Sequence, residues 1–270
     1  GVLRSRYDAV LLANLSTEFP EDRHIMLRRF RLWAVYYART EGFTIDTLRN
    51  FTLARDGGGL WDFRIPVGNG LYIDVVLKLQ IVEGKNAVLL SVHRKGGPDG
   101  ARRLGDEVPV KLVIRPDIED RNFHSDTKAS SGPEQTWPKA VSHTEHSFEF
   151  KPSSDRRLVV ASSKGRFHQA GEWLYNLWQA NEAARGLEAN GDLYSPGYFE
   201  VSLAGCESCV FSGQILTPAE PERIPLQVAG SKDLFAAADA PFAKADNSFH
   251  SVLLRSLRAF VVKRGDLKTV

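Results

Sequence analysis

The sequence predicts an all-β protein: a large antiparallel β-sandwich followed by a short helical connector at its C-terminus. From about residue 6 to residue 216 the dominant hydrophobic period is two, the signature of half-buried strands. Short alternating runs are separated by Gly, Pro and Asn turn signals, as in sandwiches and barrels. After about residue 228 the period becomes helical. A chain of 270 residues exceeds an immunoglobulin-sized domain about twofold. One very large two-layer sandwich over residues 1–228 is therefore the first expectation, with a connector over 229–270, and two ordinary sandwiches in series are the second. No internal repeat of fixed period is visible.

The clearest strand is "LYIDVVLKLQI". Leu71, Ile73, Val75, Leu77, Leu79 and Ile81 face one side, while Tyr72, Asp74, Lys78 and Gln80 face the other. Trp61, Phe63 and Ile65 alternate just before it, and Asn69-Gly70 supplies the positive φ angles of a tight turn, so residues 60–82 read as a hairpin. Further strands are expected at 28–36, 86–94, 108–115, 147–150, 172–178 and 198–203. "RDGGGL" at 55–60 opens a strand and lacks the Lys-Ser/Thr of a phosphate loop, so it reads as a flexible turn. "RKGGPDGARRLGDE" at 94–107 is polar and is expected to be a long mobile loop without core residues. "KDLFAAADA" at 232–240 reads as a short helix. In "NSFHSVLLRSLRAFVVKRG", Phe249, Val252, Leu253, Leu257, Phe260 and Val261 recur at helical spacing, with Lys263 and Arg264 at the C-terminal end and Gly265 as the stop.

Composition is that of a globular protein, with 43% hydrophobic and 25% charged residues, which excludes a wholly disordered chain. The net charge of +2 points neither to nucleic acid nor to an anionic membrane as a partner. No window reaches the ~18 apolar residues of a membrane helix. The start at Gly1 lacks both a signal-peptide pattern and a Met, so a processed or excised product is expected. Cys206 and Cys209 in "AGCESCV" form a single C-x-x-C between strand-like runs, read as a hairpin turn with two incidental thiols; a cytoplasmic setting fits them. The seven histidines show no metal-ligand spacing, and no cofactor is implied.

The polar cluster "RPDIEDRNFH" at 115–124 carries Arg115, Asp117, Glu119, Asp120, Arg121 and His124. Its charges nearly cancel, so it is suited to specific hydrogen bonds rather than phosphate neutralisation. A sheet-edge loop held by its own ion pairs is the plainer reading. Trp137, between Pro133 and Pro138 in a polar stretch, reads as an exposed stacking platform. Downstream, Trp173, Tyr175 and Trp178 precede Glu182, Arg185, Asp192 and Tyr194, a mixture of rings, carboxylates and guanidinium that binds sugars; core packing competes for each ring. Glycoside hydrolysis needs two carboxyl groups facing across a bond, and the acids at 117, 119, 120, 182, 188 and 192 are the candidates.

Three segments carry a family resemblance: "RSRYDAVLLANL" at 4–15, "EAARGLEANGDLYSPGYFEVSL" at 182–203 and "LRAFVVKRGDLKTV" at 257–270. They resemble the N-terminal domain of bacterial and archaeal glycogen-debranching enzymes, the amylo-α-1,6-glucosidases. The resemblance implies a β-supersandwich that precedes an α/α barrel in the same polypeptide, with the catalytic carboxylates in the barrel. It implies no catalytic residue here, and "GDLKTV" falls where the family's connector enters its barrel, so an excised domain is expected. The expected role is support of the barrel, with possible partners glycogen and malto-oligosaccharides. The 115–124 cluster, Trp137 and the 182–194 segment would then lie together at one end of the sandwich, facing the barrel and its glucan. Two other readings stay open: a free-standing carbohydrate-binding module, and a mutarotase-like enzyme in which His124 and Glu182 share acid-base work.

Overall fold

The computed structural model describes residues 3–15, 23–54, 58–97, 102–226, 253, 262–264 and 267–269. The chain begins in one sheet with β1 (Leu11–Asn14), β2 (Arg23–Tyr36) and β3 (Arg39–Gly42). It crosses to a second sheet for β4 (Leu48–Leu53), β5 (Gly59–Gly68), β6 (Leu71–Ile81) and β7 (Ala87–Arg94), then returns for β8 (Val110–Asn122). The second sheet receives β9 (Val141–His143), β10 (Ser147–Phe150) and β11 (Arg157–Ser162), the first β12 (Arg166–Trp178) and β13 (Asn190–Leu203), and the second β14 (Ser208–Leu216). The six-stranded sheet has the order β1-β2-β8-β13-β12 with β3 on β2; the eight-stranded sheet runs β4-β5-β6-β7-β14-β11-β10-β9. All these pairs are antiparallel. The all-β sandwich read from the period is the observed architecture. Among the described residues the named α-helices are short: α1 (Pro133–Thr136) and α2 (Ala180–Ala184).

The expected 60–82 hairpin forms as β5 and β6, with Ile65 opposite Ile73 and with Asn69 and Gly70 at φ 51° and 73°. Between the sheets the alternating apolar residues make one core, including Leu27, Ile114, Phe148, Phe150, Phe167, Phe199 and Phe211. The two layers meet tightly at Gly213 of β14, where a Cβ would lie 2.4 Å from Leu27 Cδ2 of β2.

Four expectations change. The cluster at 115–124 is not a loop: β8 continues to Asn122, and only Phe123 and His124 lie past its end. "AGCESCV" does not close a hairpin, because β13 and β14 belong to different sheets; it is the crossover, with Cys206 at φ 63°. The 94–107 segment contributes Leu104 to the core, and buried Arg94 donates to the carbonyls of Val108, Leu203, Leu104 and Gly105, tying down both ends of the segment; residues 98–101 lie outside the described residues. Lys263 and Arg264, expected in a helix, belong to β15 (Val262–Arg264), which pairs with β16 (Leu267–Thr269). The expected helix at 232–240, and nearly all of the one from 247, lie outside the described residues.

Candidate functional site

The charged half of β8 is possible because each charge meets a partner on a neighbouring strand. Asp117 has no solvent exposure. It accepts from Arg29 Nε at 2.6 Å and from Arg31 Nε and Nη2 at 3.0 and 2.8 Å, both arginines projecting from β2 beside it. Glu172 of β12 extends the array, lying 3.3 Å from Arg31 and 3.0 Å from Arg115. Arg115 also donates to Ser195 Oγ at 3.0 Å and to the Ala170 carbonyl, and its guanidinium lies 5.9 Å from the Tyr198 ring centre. Pro116 is tolerated in this central strand because the β13 ladder is interrupted opposite it, between Tyr194 and Phe199. Ser195 Oγ donates to the Pro116 carbonyl at 2.8 Å.

A second group of the same charges grips the chain's early segment. Arg28 of β2 donates to the carbonyls of Arg6 at 2.6 Å, Ser5 at 2.8 Å and Asp8, while its Nε lies 3.3 Å from Glu119. Burial pushes the Arg28 pKa down, partly offset by the Glu119 charge. Arg121 pairs with Glu119 at 2.9 Å and donates to the carbonyls of Arg6, Phe123 and Ser125. Glu182 of α2, with no exposed surface, accepts from Ser5 Oγ at 2.6 Å and the Arg6 N–H at 3.2 Å. The Ser5 hydrogen bond, with those of Arg6 and the charges of Arg6 and Arg185, outweighs burial and holds the Glu182 carboxyl below its ordinary range. Arg185 is exposed and reaches Glu182 at 3.5 Å. His124 is exposed and shares a 3.1 Å hydrogen bond with the Tyr7 hydroxyl.

The remaining candidates serve separately. Asp120 ties His24, at 2.6 Å, to Arg156, at 2.7 Å, just before β11 of the other sheet. Burial alone would raise its pKa, but these two hydrogen bonds prevail and lower it. Asp192 accepts from the Ala129 and Asn176 N–H groups, each at 2.8 Å, and so joins the 122–140 segment to β12 and β13. Tyr194 is buried beside Trp173, with ring centres 5.1 Å apart.

Trp137 is not an exposed platform. It is 6% exposed, in the core, stacked on Trp173 at 5.4 Å and edge-on to Phe150 at 5.4 Å. Its flanking prolines shape the short helical turns that deliver the ring between the layers. Trp173 stacks in turn on Tyr175 at 6.3 Å, so three near-parallel rings run from core to surface. Tyr175 is 51% exposed and donates to Glu134 at 2.5 Å; Trp178 is 62% exposed. The structure thus joins Glu119, Arg121, His124, Glu182 and Arg185 around residues 4–8 and sends the other candidates elsewhere. Arg28 and Ser5 were missed; the sole hint was the arginine-rich "RRFR" of β2 and the charged "RSRYD" ahead of it.

A family model described as "Glycogen debranching enzyme N terminal" matches residues 1–210. The chain belongs to this family. No curated protein matches the glycogen debranching enzyme N-terminal chain described above. Among solved structures, a chain designated a kojibiose phosphorylase from human microbiome aligns at 7% identity and a TM-score of 0.35, covering 88% of this chain and 28% of that one. A bacterial glucoamylase complexed with acarbose aligns at 10% identity and a TM-score of 0.39, covering 82% of this chain and 32% of that one. This debranching-enzyme N-terminal chain therefore spans under a third of the length of either structure.

Proposed function

We propose that this chain is the non-catalytic N-terminal domain of a glycogen-debranching glycosidase, an amylo-α-1,6-glucosidase, and supports an α/α-barrel catalytic domain of the same polypeptide. Family membership over residues 1–210 carries the reading. The state of the acids supports it. Hydrolysis asks for one carboxyl that holds a proton near neutral pH and another free to face the substrate. Here Asp117, Glu119, Asp120, Glu182 and Asp192 are occupied by protein donors, while Glu188 is exposed, accepts the Asn190 N–H at 3.0 Å and lies 3.7 Å from Lys128; Asp120, Glu182 and Glu188 are all shifted towards the ionised form. The same burial disfavours the mutarotase-like pairing of His124 with Glu182, whose oxygens a sugar does not reach. A cytoplasmic location suits the two free thiols.

The test is release of glucose from a branched α-glucan by residues 1–270 alone and by the whole polypeptide that carries them. Turnover confined to the longer protein is expected; turnover by the folded chain alone overturns the reading. Any contact with glycogen or malto-oligosaccharide at this end falls to the exposed rings of Tyr175 and Trp178, since Trp137 is enclosed. Affinity electrophoresis in glycogen, with cellulose oligomers as control, decides this second point. Retardation that survives Tyr175→Ala with Trp178→Ala would move the contact elsewhere.

A further inference from the structure

The 115–124 run is nearly neutral as sequence, but folding sets Arg29 and Arg31 of β2 beside it and changes the balance. On the face of the six-stranded sheet turned away from the core, Arg29, Arg31 and Arg115 meet two acids, Asp117 and Glu172. Arg31 stands directly opposite Arg115 in the β2–β8 register, and the core residues Phe30 and Ile114 alternate with them on the other face. Like charges facing each other on neighbouring strands repel, and an anion between them relieves the repulsion. The chain supplies one carboxylate oxygen: Glu172 Oε2 lies 3.3 Å from Arg31 Nη2 and 3.0 Å from Arg115 Nε. Asp117 is shared between Arg29 and Arg31, so Arg115 relies on Glu172 for its countercharge among the described residues. Glu172 is the least secured member of the group. Its side chain is 40% exposed against 19% and 17% for the two arginines, and it stands at a bulge of β12, the edge strand of its sheet.

We propose that Arg31 and Arg115 form a binding site for a phosphate group, free or carried by a sugar, and that the Glu172 carboxylate is its built-in occupant. Planar guanidinium groups match phosphate oxygens in pairs. The bonds that hold Arg31 and Arg115 use Nε and Nη2 of each, so an Nη1 donor remains on both among the described residues. With Glu172 turned out to solvent, three arginines face Asp117 alone. Glu200, the next acid on this face, is taken by Lys111 at 3.1 Å. Rings border the pair: Trp33 lies beside Arg31 at 5.6 Å and Tyr198 beside Arg115 at 5.9 Å, with Tyr198 stacked on His168. They offer flat apolar faces to a sugar that carries the phosphate. The proposal goes beyond the debranching-domain reading and does not depend on it.

Isothermal titration calorimetry of the whole 270-residue chain with inorganic phosphate, at low ionic strength held constant with chloride, tests it. Glu172→Gln removes the charge of the occupant and should bind phosphate at least about fivefold more tightly than the wild type. Adding Arg115→Lys, which keeps a charge but loses the fork, should reverse that gain. Equal affinity in the wild type and Glu172→Gln, or binding by neither, overturns the proposal. Glucose 6-phosphate, with glucose as control, separates the sources: tighter binding of the ester assigns the site to a sugar phosphate, and affinity equal to that of inorganic phosphate assigns it to the free ion. If Glu172→Gln does not fold, urea unfolding of the wild type and of Arg115→Lys decides instead. Millimolar phosphate should stabilise the wild type over chloride at matched ionic strength and leave Arg115→Lys unmoved; equal shifts overturn the proposal.

Discussion

Replacing Arg28 by Met keeps the length of the side chain and removes its fork. Arg28 is 2% exposed, and its guanidinium makes three hydrogen bonds to the carbonyls of Ser5, Arg6 and Asp8 besides facing Glu119. Charge-assisted bonds are worth about 1.5–3 kcal/mol each, but they do not add, because orphaned carbonyls relax and take up water. Glu119 keeps Arg121 as a partner, which limits the penalty on the acid. Breaking a buried charged network by removing one member costs about 3–5 kcal/mol, and Arg28→Met should lie in that range. Urea unfolding followed by tryptophan fluorescence gives the loss. Hydrogen exchange should show residues 5–10 losing protection first. A loss under about 1 kcal/mol with unchanged exchange there would refute the anchor and return these charges to a surface role.

Glu182→Gln keeps an acceptor for Ser5 but removes the charge. The folded carboxyl is lowered from an unfolded value near 4.3, so the wild-type advantage is present above that pH and is lost as pH falls through the lower folded value. Denaturation of the two proteins at pH 7 and pH 3 should show the gap closing in acid; a gap that widens contradicts the sign. Gly197→Ala would place a Cβ 2.1 Å from the His168 carbonyl, a backbone clash, and should cost at least about 3 kcal/mol by urea titration. Gly213→Ala meets the Leu27 side chain at 2.4 Å and should cost about 1–3 kcal/mol as overpacking, and less than Gly197→Ala in the same titration. In the native protein a thiol reagent should modify exposed Cys206 and spare Cys209, as peptide mass mapping would show; modification of Cys209 while the fold persists would contradict its burial.

Strands with one apolar face were legible from sequence because alternation is local, and the Asn69-Gly70 turn carried its own register. The polar half of β8 was not. Asp117 finds Arg29 88 residues away and Arg31 86 residues away, and a charge whose partner is that distant looks solvated in any short window. Trp137 misled for a related reason: its polar neighbours describe the turn, whereas the ring obeys the space between two layers. The segments "AVLLSV" and "CVFSGQIL" are apolar on both faces. That pattern signalled a covered strand, and period-two reasoning passed over it.

Ser5 and Glu182, which meet at 2.6 Å, are 177 residues apart. At synthesis rates of roughly 5–20 residues per second, the early segment leaves the ribosome roughly 10–35 s before its seat exists. Through that interval "RSRYD" has only its own Asp8 and Arg28 of β2 to hold it, and β2 lacks β8 beside it for much of the time. The assembly of this domain on the ribosome is thus timed by its middle and late strands. Residues 5 and 6 gain their last partners only when Glu182 and Glu188 arrive.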